Sequence, residues 1–330
     1  MENQFKALVV DKLDNNVSVR VKNLTLNDLQ EGDVTIKVAY SSVNYKDGLA
    51  SIPDGKIISS YPFVPGIDLA GTVVSSSDKR YKEGDEVIAT SYEIGITYFG
   101  GFSEYARLKA DWLVPIPKGL TLKEAMAYGT AGFTAALSVQ KLQQSGVTPE
   151  QGEVLVTGST GGVGSLAVAI LSKLGYEVVA STGKESEHDY LRRLGAKAVI
   201  SREEVTPEKI RPLGKQRWAG AIDPVGGKTL AAILSNTNYG GSVAVSGLTG
   251  GGNVPTTVFP FILRGVSLIG IDSAYCPMNI RKTLWERMAN ELKPETLLSD
   301  IGQEITLEEL PNTLNDILKG QLRGRTVVRV

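Results

Sequence analysis

Val154-Leu155-Val156-Thr157-Gly158-Ser159-Thr160-Gly161-Gly162-Val163-Gly164 reads as a buried strand that enters a tight glycine turn and leaves as an apolar helix. Glycines permit positive φ and close backbone approach, and a helix N-terminus offers unpaired N–H groups with a partial positive charge. A pyrophosphate fits such a turn. The spacing departs from the plain G-x-G-x-x-G fingerprint, because Gly158, Gly161 and Gly164 stand three apart with Gly162 added. Glycines in a βα turn can also serve close packing alone. Context decides for dinucleotide binding: the turn follows a strand, opens a helix and lies in a βαβ unit.

Downstream the alternation continues. Glu177-Val178-Val179-Ala180, Ala198-Val199-Ile200, Gly220-Ala221-Ile222 and Ser242-Val243-Ala244-Val245 read as strands. Helices are expected over 162–174 and 227–234, with another ending near Leu194. That rhythm implies a parallel sheet covered on both faces.

Upstream, the N-terminal third reads as β-rich. Val34-Thr35-Ile36-Lys37-Val38-Ala39-Tyr40, Gly71-Thr72-Val73-Val74 and Glu86-Val87-Ile88-Ala89 alternate with glycine turns, which suggests an antiparallel sandwich or barrel. Thr121 through Glu124 reads as a capping box, and a second helix is expected over 132–144. After Leu268-Ile269-Gly270-Ile271, helices over 279–292 and 307–319 lead to a final strand, Thr326-Val327-Val328-Arg329-Val330. That strand needs a sheet, and the N-terminal one is expected to take it. The expected fold class is therefore α/β: a doubly wound Rossmann sheet over 125–271, inserted in a β-rich catalytic domain made of 1–124 and 272–330.

Composition removes whole classes of function. A chain of 330 residues suits two domains, and a net charge of −1 gives no field to draw nucleic acid or an anionic membrane. Neither is an expected partner. The start, Met1-Glu2-Asn3-Gln4-Phe5-Lys6, lacks a secretion-signal pattern, and no apolar run is long enough to span a bilayer. A cytoplasmic location is the expectation. One cysteine (Cys276) and one histidine (His188) cannot build an intramolecular disulfide, a structural zinc site or the usual His/Cys catalytic zinc site. No metal is expected. His188 ends the charged stretch Lys184-Glu185-Ser186-Glu187-His188, a poor setting for the buried base of a hydrolytic triad.

The second strand bears on the cofactor. Selection for NAD usually places an acid at its end to take both ribose hydroxyls. Here it ends Ala180-Ser181-Thr182-Gly183-Lys184, with no acid before Glu185. Hydroxyls and a lysine hold a 2′-phosphate that an acid would repel. NADP, as NADPH, is favoured, and NAD stays open if Lys184 only leads into the next helix.

With this loop in place, nearly the whole chain resembles the medium-chain dehydrogenase/reductase superfamily. Val64-Pro65-Gly66-Ile67-Asp68-Leu69-Ala70-Gly71 is similar to the segment that carries a metal-binding His-Glu pair in the zinc alcohol dehydrogenases, but Ile67 stands at the histidine position. The four-cysteine lobe is missing too. Gly84-Asp85-Glu86-Val87, Gly100-Gly101-Phe102-Ser103-Glu104-Tyr105 and Gly129-Thr130-Ala131-Gly132-Phe133-Thr134-Ala135 resemble the zinc-free quinone oxidoreductase branch. Residues 40–49, 218–223, 238–241 and 255–264 resemble a bacterial subgroup that includes NADPH-dependent acryloyl-CoA reductase.

The resemblance implies a GroES-like catalytic domain and a set of cofactor contacts. Tyr45 would lie near the nicotinamide, with Thr134 a further contact. Thr160, Gly161, Gly162 and Val163 would cradle the pyrophosphate. Thr182, Gly183 and Lys184 would take the adenosine ribose and its phosphate, and Leu248 and Ser273 would flank the nicotinamide end.

Without a metal, such an enzyme polarises its substrate through hydrogen bonds. When an activated double bond is reduced, hydride reaches the β-carbon and negative charge develops on the carbonyl oxygen, where a placed donor lowers the barrier. Tyr45 is the candidate donor, and Asn44 the residue that orients substrate or ribose. Asn44, Lys46, Asp47 and Gly48 are also turn formers, and Tyr45 can equally serve packing. Arg264, Arg281 and Lys282 are candidates for the phosphates of a coenzyme A ester. The expected small-molecule substrate is an α,β-unsaturated carbonyl, either an acryloyl-CoA-type enoyl thioester or a quinone. The alternative is a non-enzymatic NADPH-binding regulatory or structural protein. Residues 265–271 form a candidate edge strand for a homodimer or higher homo-oligomer.

Overall fold

The computed structural model describes residues 4–13 and 16–330. The polar start Met1-Glu2-Asn3, read above as lacking a secretion signal, lies outside them. The chain divides into two compact units. Residues up to Thr130, with Ala274–Asn290 and Gly302–Val330, form the first; Ala131–Ser273 and Glu291–Ile301 form the second.

This division differs from the sequence expectation in three places, the smallest being the second boundary, which falls after Ser273 rather than after residue 271. The first boundary falls after Thr130 rather than after residue 124, inside the helical run Leu122–Gln144. The two helices expected there are present and meet at a kink at Gly129, whose φ of 52° and ψ of −156° are open essentially to glycine alone. The segment Glu291–Ile301 belongs to the second unit because that unit holds it: Lys173 donates to the Lys293 carbonyl at 2.7 Å, and Arg193 pairs with Asp300 at 3.2 Å.

The second unit carries a six-stranded sheet in the order Ala198–Ile200, Val178–Ser181, Val154–Val156, Trp218–Asp223, Thr237–Val245, Ser267–Gly270. Every neighbouring pair is parallel. Strands buried on both faces need continuous apolar residues, and Val154–Val156 and Val178–Ser181 are buried throughout. Leu155, Val179, Ala221 and Val243 share a core with Leu230, Ile233 and Leu234 of the helix Gly227–Asn236. Each such large aliphatic side chain contributes about 1.5–3 kcal/mol on burial. Strand order reverses between Val154–Val156 and Trp218–Asp223, the place where a doubly wound sheet opens a crevice beyond its C-terminal strand ends.

The first unit holds an antiparallel strand pair, Phe5–Leu13 with Asn16–Leu24, and a seven-stranded sheet. Val34, Ile36, Val38, Leu69, Val73, Val87 and Ala89 supply its main core. The strand Arg325–Arg329 lies antiparallel to Val34–Ser42, and Gly302–Thr306 runs parallel beside it. Gly302–Thr306 was not foreseen and departs from a purely antiparallel arrangement. Its five residues are half-buried or exposed and mostly polar, so no period of two marks them.

Candidate active site

In the second unit the glycine loop is built for backbone approach. Gly158 has φ 54°, and Gly161 donates to its carbonyl at 3.0 Å. A Cβ on Gly164 would stand 2.3 Å from the Gly158 oxygen and 2.7 Å from the Ser159 Cα, so the helix Gly162–Lys173 seats this tightly only with glycine there. Ser159 fastens the loop to the second strand: its hydroxyl donates to the Val156 carbonyl at 2.7 Å and accepts from the Ser181 N–H at 2.9 Å. The first bond along the helix is Ser165 N–H to the Gly161 carbonyl, at 2.9 Å. The N–H groups ahead of it have no intrahelical acceptor, so the turn suits an anion. Thr160 is buried, while Gly161, Gly162 and Val163 are half-buried at the loop's rim.

Asp223 organises the switch point, and the sequence reading had assigned it no role. Fully buried, it accepts from the Thr157 hydroxyl at 2.5 Å and from the N–H groups of Val225 at 3.1 Å and Gly226 at 2.9 Å. It ties the end of the first strand to the turn after the fourth. Burial pushes its carboxyl above the usual range, while the donors pull the other way. Leu248 is largely exposed on a loop whose Gly247 packs against the Pro224 carbonyl, beside that turn.

At the end of the second strand, Thr182 is buried, and its hydroxyl accepts from the Lys184 N–H at 3.1 Å. Gly183 is exposed; a Cβ there would stand 2.9 Å from Arg202 Nε. Arg202 is therefore a second cation at this corner, delivered by the next βα turn. The sequence reading missed it because it lies one strand further along. Arg192 and Arg193, in the helix that follows, are paired with Asp189 and Asp300. Thr134 and Ser273 come together: the Thr134 hydroxyl donates to Ser273 Oγ at 2.7 Å.

The first unit contains a buried polar cluster. Asn44 caps the short helix Tyr45–Ala50, and its N–H donates to Asp47 at 2.8 Å. Its side-chain N–H donates to Asp68 at 2.7 Å, and its carbonyl accepts from Arg325 at 3.3 Å. Asn44 is thus engaged at both ends of its amide, by Asp68 and by Arg325. Tyr45, the first helical residue, is 47% exposed and accessible to a ligand.

Asp47 also accepts from the Ile67 N–H at 3.0 Å. Burial, followed by the neighbouring Asp68 charge, pushes its carboxyl up to about 7. Burial pulls the Arg325 guanidinium below its ordinary value. Thr130 donates its hydroxyl to Asp68 at 2.6 Å and shares a 2.8 Å bond with Ser91. Ser91 and Tyr92 both have positive φ, 63° and 51°, a strain that surrounding structure has to sustain.

Among the coenzyme A phosphate candidates, two are otherwise engaged. Arg264 donates to the carbonyls of Ser235, Thr237 and Gly214, and Arg281 is buried against Thr90 and Tyr92. Among the described residues, no group of three or more His, Cys, Asp or Glu side chains could hold a metal ion.

Residues 30–118 match the alcohol dehydrogenase GroES-like domain, and residues 162–290 match the zinc-binding dehydrogenase family. Putative quinone oxidoreductase YhfP of Bacillus subtilis is 60% identical over 330 residues, the full length of both chains. The chain belongs to the medium-chain dehydrogenase/reductase superfamily. Within this superfamily, acrylyl-CoA reductase AcuI of Ruegeria pomeroyi is 52% identical over 328 residues, 99% of each chain. The crystal structure of the Bacillus subtilis protein, with NAD bound, covers 99% of this chain and 100% of its own at a TM-score of 0.97. That of Escherichia coli YhdH, with bound NADPH, is 50% identical and covers 98% of this chain and 99% of its own at 0.95. The chain is an oxidoreductase with a Rossmann sheet and a GroES-like β-rich domain. These relatives set aside the reading as a non-enzymatic binding protein.

Proposed function

We propose that this chain is an NADPH-dependent reductase of α,β-unsaturated carbonyl compounds, with an acryloyl-CoA-type thioester as the first substrate class. The observation that carries the cofactor half is the cationic end of the second strand. Lys184 follows Gly183, Arg202 lies against Gly183, and no acid stands where ribose hydroxyls would be taken. Two cations there stabilise a 2′-phosphate, each charge-assisted bond contributing about 1.5–3 kcal/mol. The substrate half rests on the 52% identical acrylyl-CoA reductase. A quinone is the second reading, favoured by the 60% identical putative quinone oxidoreductase.

When bound, NADPH supplies the hydride, and the protein supplies placement and charge stabilisation. Thr160, Gly161, Gly162 and Val163 hold the pyrophosphate through backbone N–H groups and the helix field. Thr182, Gly183, Lys184 and Arg202 take the adenosine ribose and its phosphate. Thr134, Ser273 and Leu248 serve the nicotinamide end. Tyr45 donates a hydrogen bond to the substrate carbonyl oxygen as charge develops on it; a phenol does this while neutral.

The test mixes purified protein with NADPH or NADH and follows cofactor oxidation with acryloyl-CoA and, separately, a simple quinone. Turnover of acryloyl-CoA with NADPH supports the proposal. Turnover of the quinone alone moves the substrate, and a preference for NADH refutes the cofactor assignment. Arg202→Ala is expected to weaken NADPH binding by about 10–100-fold and leave NADH unchanged.

We further infer a cytoplasmic homodimer. The edge strand Ser267–Gly270 exposes Leu268, and Val258, Phe259, Ile262 and Leu263 on and before the neighbouring helix are exposed as well. An apolar edge of that kind favours closed pairing with a second copy. Light scattering that gives a monomer mass at micromolar concentration would refute the dimer. Among the described residues no helix is long and apolar enough to cross a membrane.

A further inference from the structure

We infer that Asp68 and Arg325 are positioning residues for the proposed reduction: a buried ion pair that fixes Asn44 and, through it, the helical turn that presents Tyr45. The inference rests on the functional reading above.

Asp68 is completely buried and is surrounded by donors. One carboxylate oxygen accepts from the Ser42 hydroxyl at 2.7 Å, the Asn44 side chain at 2.7 Å and the Thr130 N–H at 2.9 Å. The other accepts from the Thr130 hydroxyl at 2.6 Å. Arg325, 3% exposed, donates to Ser42 Oγ at 2.7 Å, the Val43 carbonyl at 2.9 Å, and Asn44 Oδ1 and the Ala127 carbonyl at 3.3 Å each. The two charges approach to 3.8 Å, with the Ser42 hydroxyl bridging them.

Asn44 is therefore gripped from both sides at the residue before Tyr45. Neither charged group reaches the surface, so neither touches a substrate.

The arrangement is a poor device for stability. Desolvating two charges costs as much as their attraction returns, and apolar replacements of a buried pair are often neutral or better. What the pair supplies is direction, because a carboxylate and a guanidinium fork accept only a few geometries. The neighbouring backbone has yielded to it. A Cβ on Gly129 would stand 2.5 Å from Asp68 Oδ2, 2.5 Å from Ser42 Oγ and 2.6 Å from Arg325 Nη2, and the helical run breaks there. Room for the pair is kept at the expense of a helix.

The test uses the full-length protein carrying Asp68→Leu and Arg325→Met together, checked for folding by circular dichroism and for NADPH binding by fluorescence. Expected is a folded, NADPH-binding protein whose kcat for acryloyl-CoA falls about 100-fold with KM changed little, the scale of a displacement of about 1 Å. Wild-type kcat in the folded variant overturns the inference. If the double variant does not fold, Arg325→Lys keeps the charge and removes the fork; a kcat loss supports the inference, and none overturns it. If wild-type protein reduces no acceptor, the functional reading has failed by itself. The positioning claim then stands on the 13C-tyrosine NMR signal of Tyr45, assigned by its loss in Tyr45→Phe. A displaced signal in the double variant supports the claim, and an unmoved one overturns it.

Discussion

In the glycine loop, what is offered to a ligand is backbone: N–H groups ahead of the Ser165 bond, a helix field, and space left by absent Cβ atoms. The cluster around Asp68 is built instead from side chains that satisfy one another, those of Ser42, Asn44, Thr130 and Arg325. The first site fails when an atom is added. The second fails when one is removed. A backbone site tolerates most replacements of its own side chains, whereas a closed polar network leaves a buried group unsatisfied whenever one member changes.

The most damaging way to break this contrast is Arg325→Met alone. It leaves Asp68 buried without its cation and is expected to cost about 3–5 kcal/mol, read as a drop in the urea midpoint. A midpoint equal to wild type would show that the hydroxyl and amide donors suffice. Gly164→Ala adds one methyl against the Gly158 carbonyl; about 1–3 kcal/mol of overpacking is expected, together with weaker NADPH binding in titration. Unchanged NADPH affinity would mean that the loop relaxes freely.

A pH series sharpens the network side. Asp47 is held to about 7 in the fold against 3.8 for its ordinary value, so between these limits the folded chain retains a proton that the unfolded chain has lost. Stability from this group therefore falls as pH rises from about 4 to about 7. Urea midpoints at pH 5.5 and 7.5, with Asp47→Asn as the control that removes the slope, check the sign. The smallest effect is Val163→Ala. Its N–H stays in place, so NADPH affinity should hold within about threefold, below about 0.7 kcal/mol. A larger loss would show that the side chain itself carries binding.

The same contrast explains what could be read before the structure. The glycine loop is contiguous, and its strand and helix flank it within a few residues, so Thr160 through Gly164 announce themselves. Lys184 is legible for the same reason. Arg202 is not, because the corner it shares with Gly183 exists only once the third strand, Ala198–Ile200, lies beside the second. The partners of Asn44 are not legible either, because nothing near it in the chain reveals Asp68 and Arg325. Gly129 looked like one more small residue in a helix, since its role is to be vacant beside side chains from distant segments. The strand Gly302–Thr306 escaped because an edge strand with half-exposed residues carries no apolar alternation.

The distance between Ser42 and Arg325 also has a consequence in time. They are bonded across 283 residues, through the pairing of Val34–Ser42 with Arg325–Arg329. Contacts of such separation close late, after the local ones that shorten the loop between them. A chain emerging from the ribosome presents its glycine loop long before Arg325 exists, so the contacts of Arg325 with Ser42 and Asn44 are among the last to close. The order of synthesis thus sets an order of assembly: the residues of the glycine turn are all present well before those of the Asp68 cluster are complete.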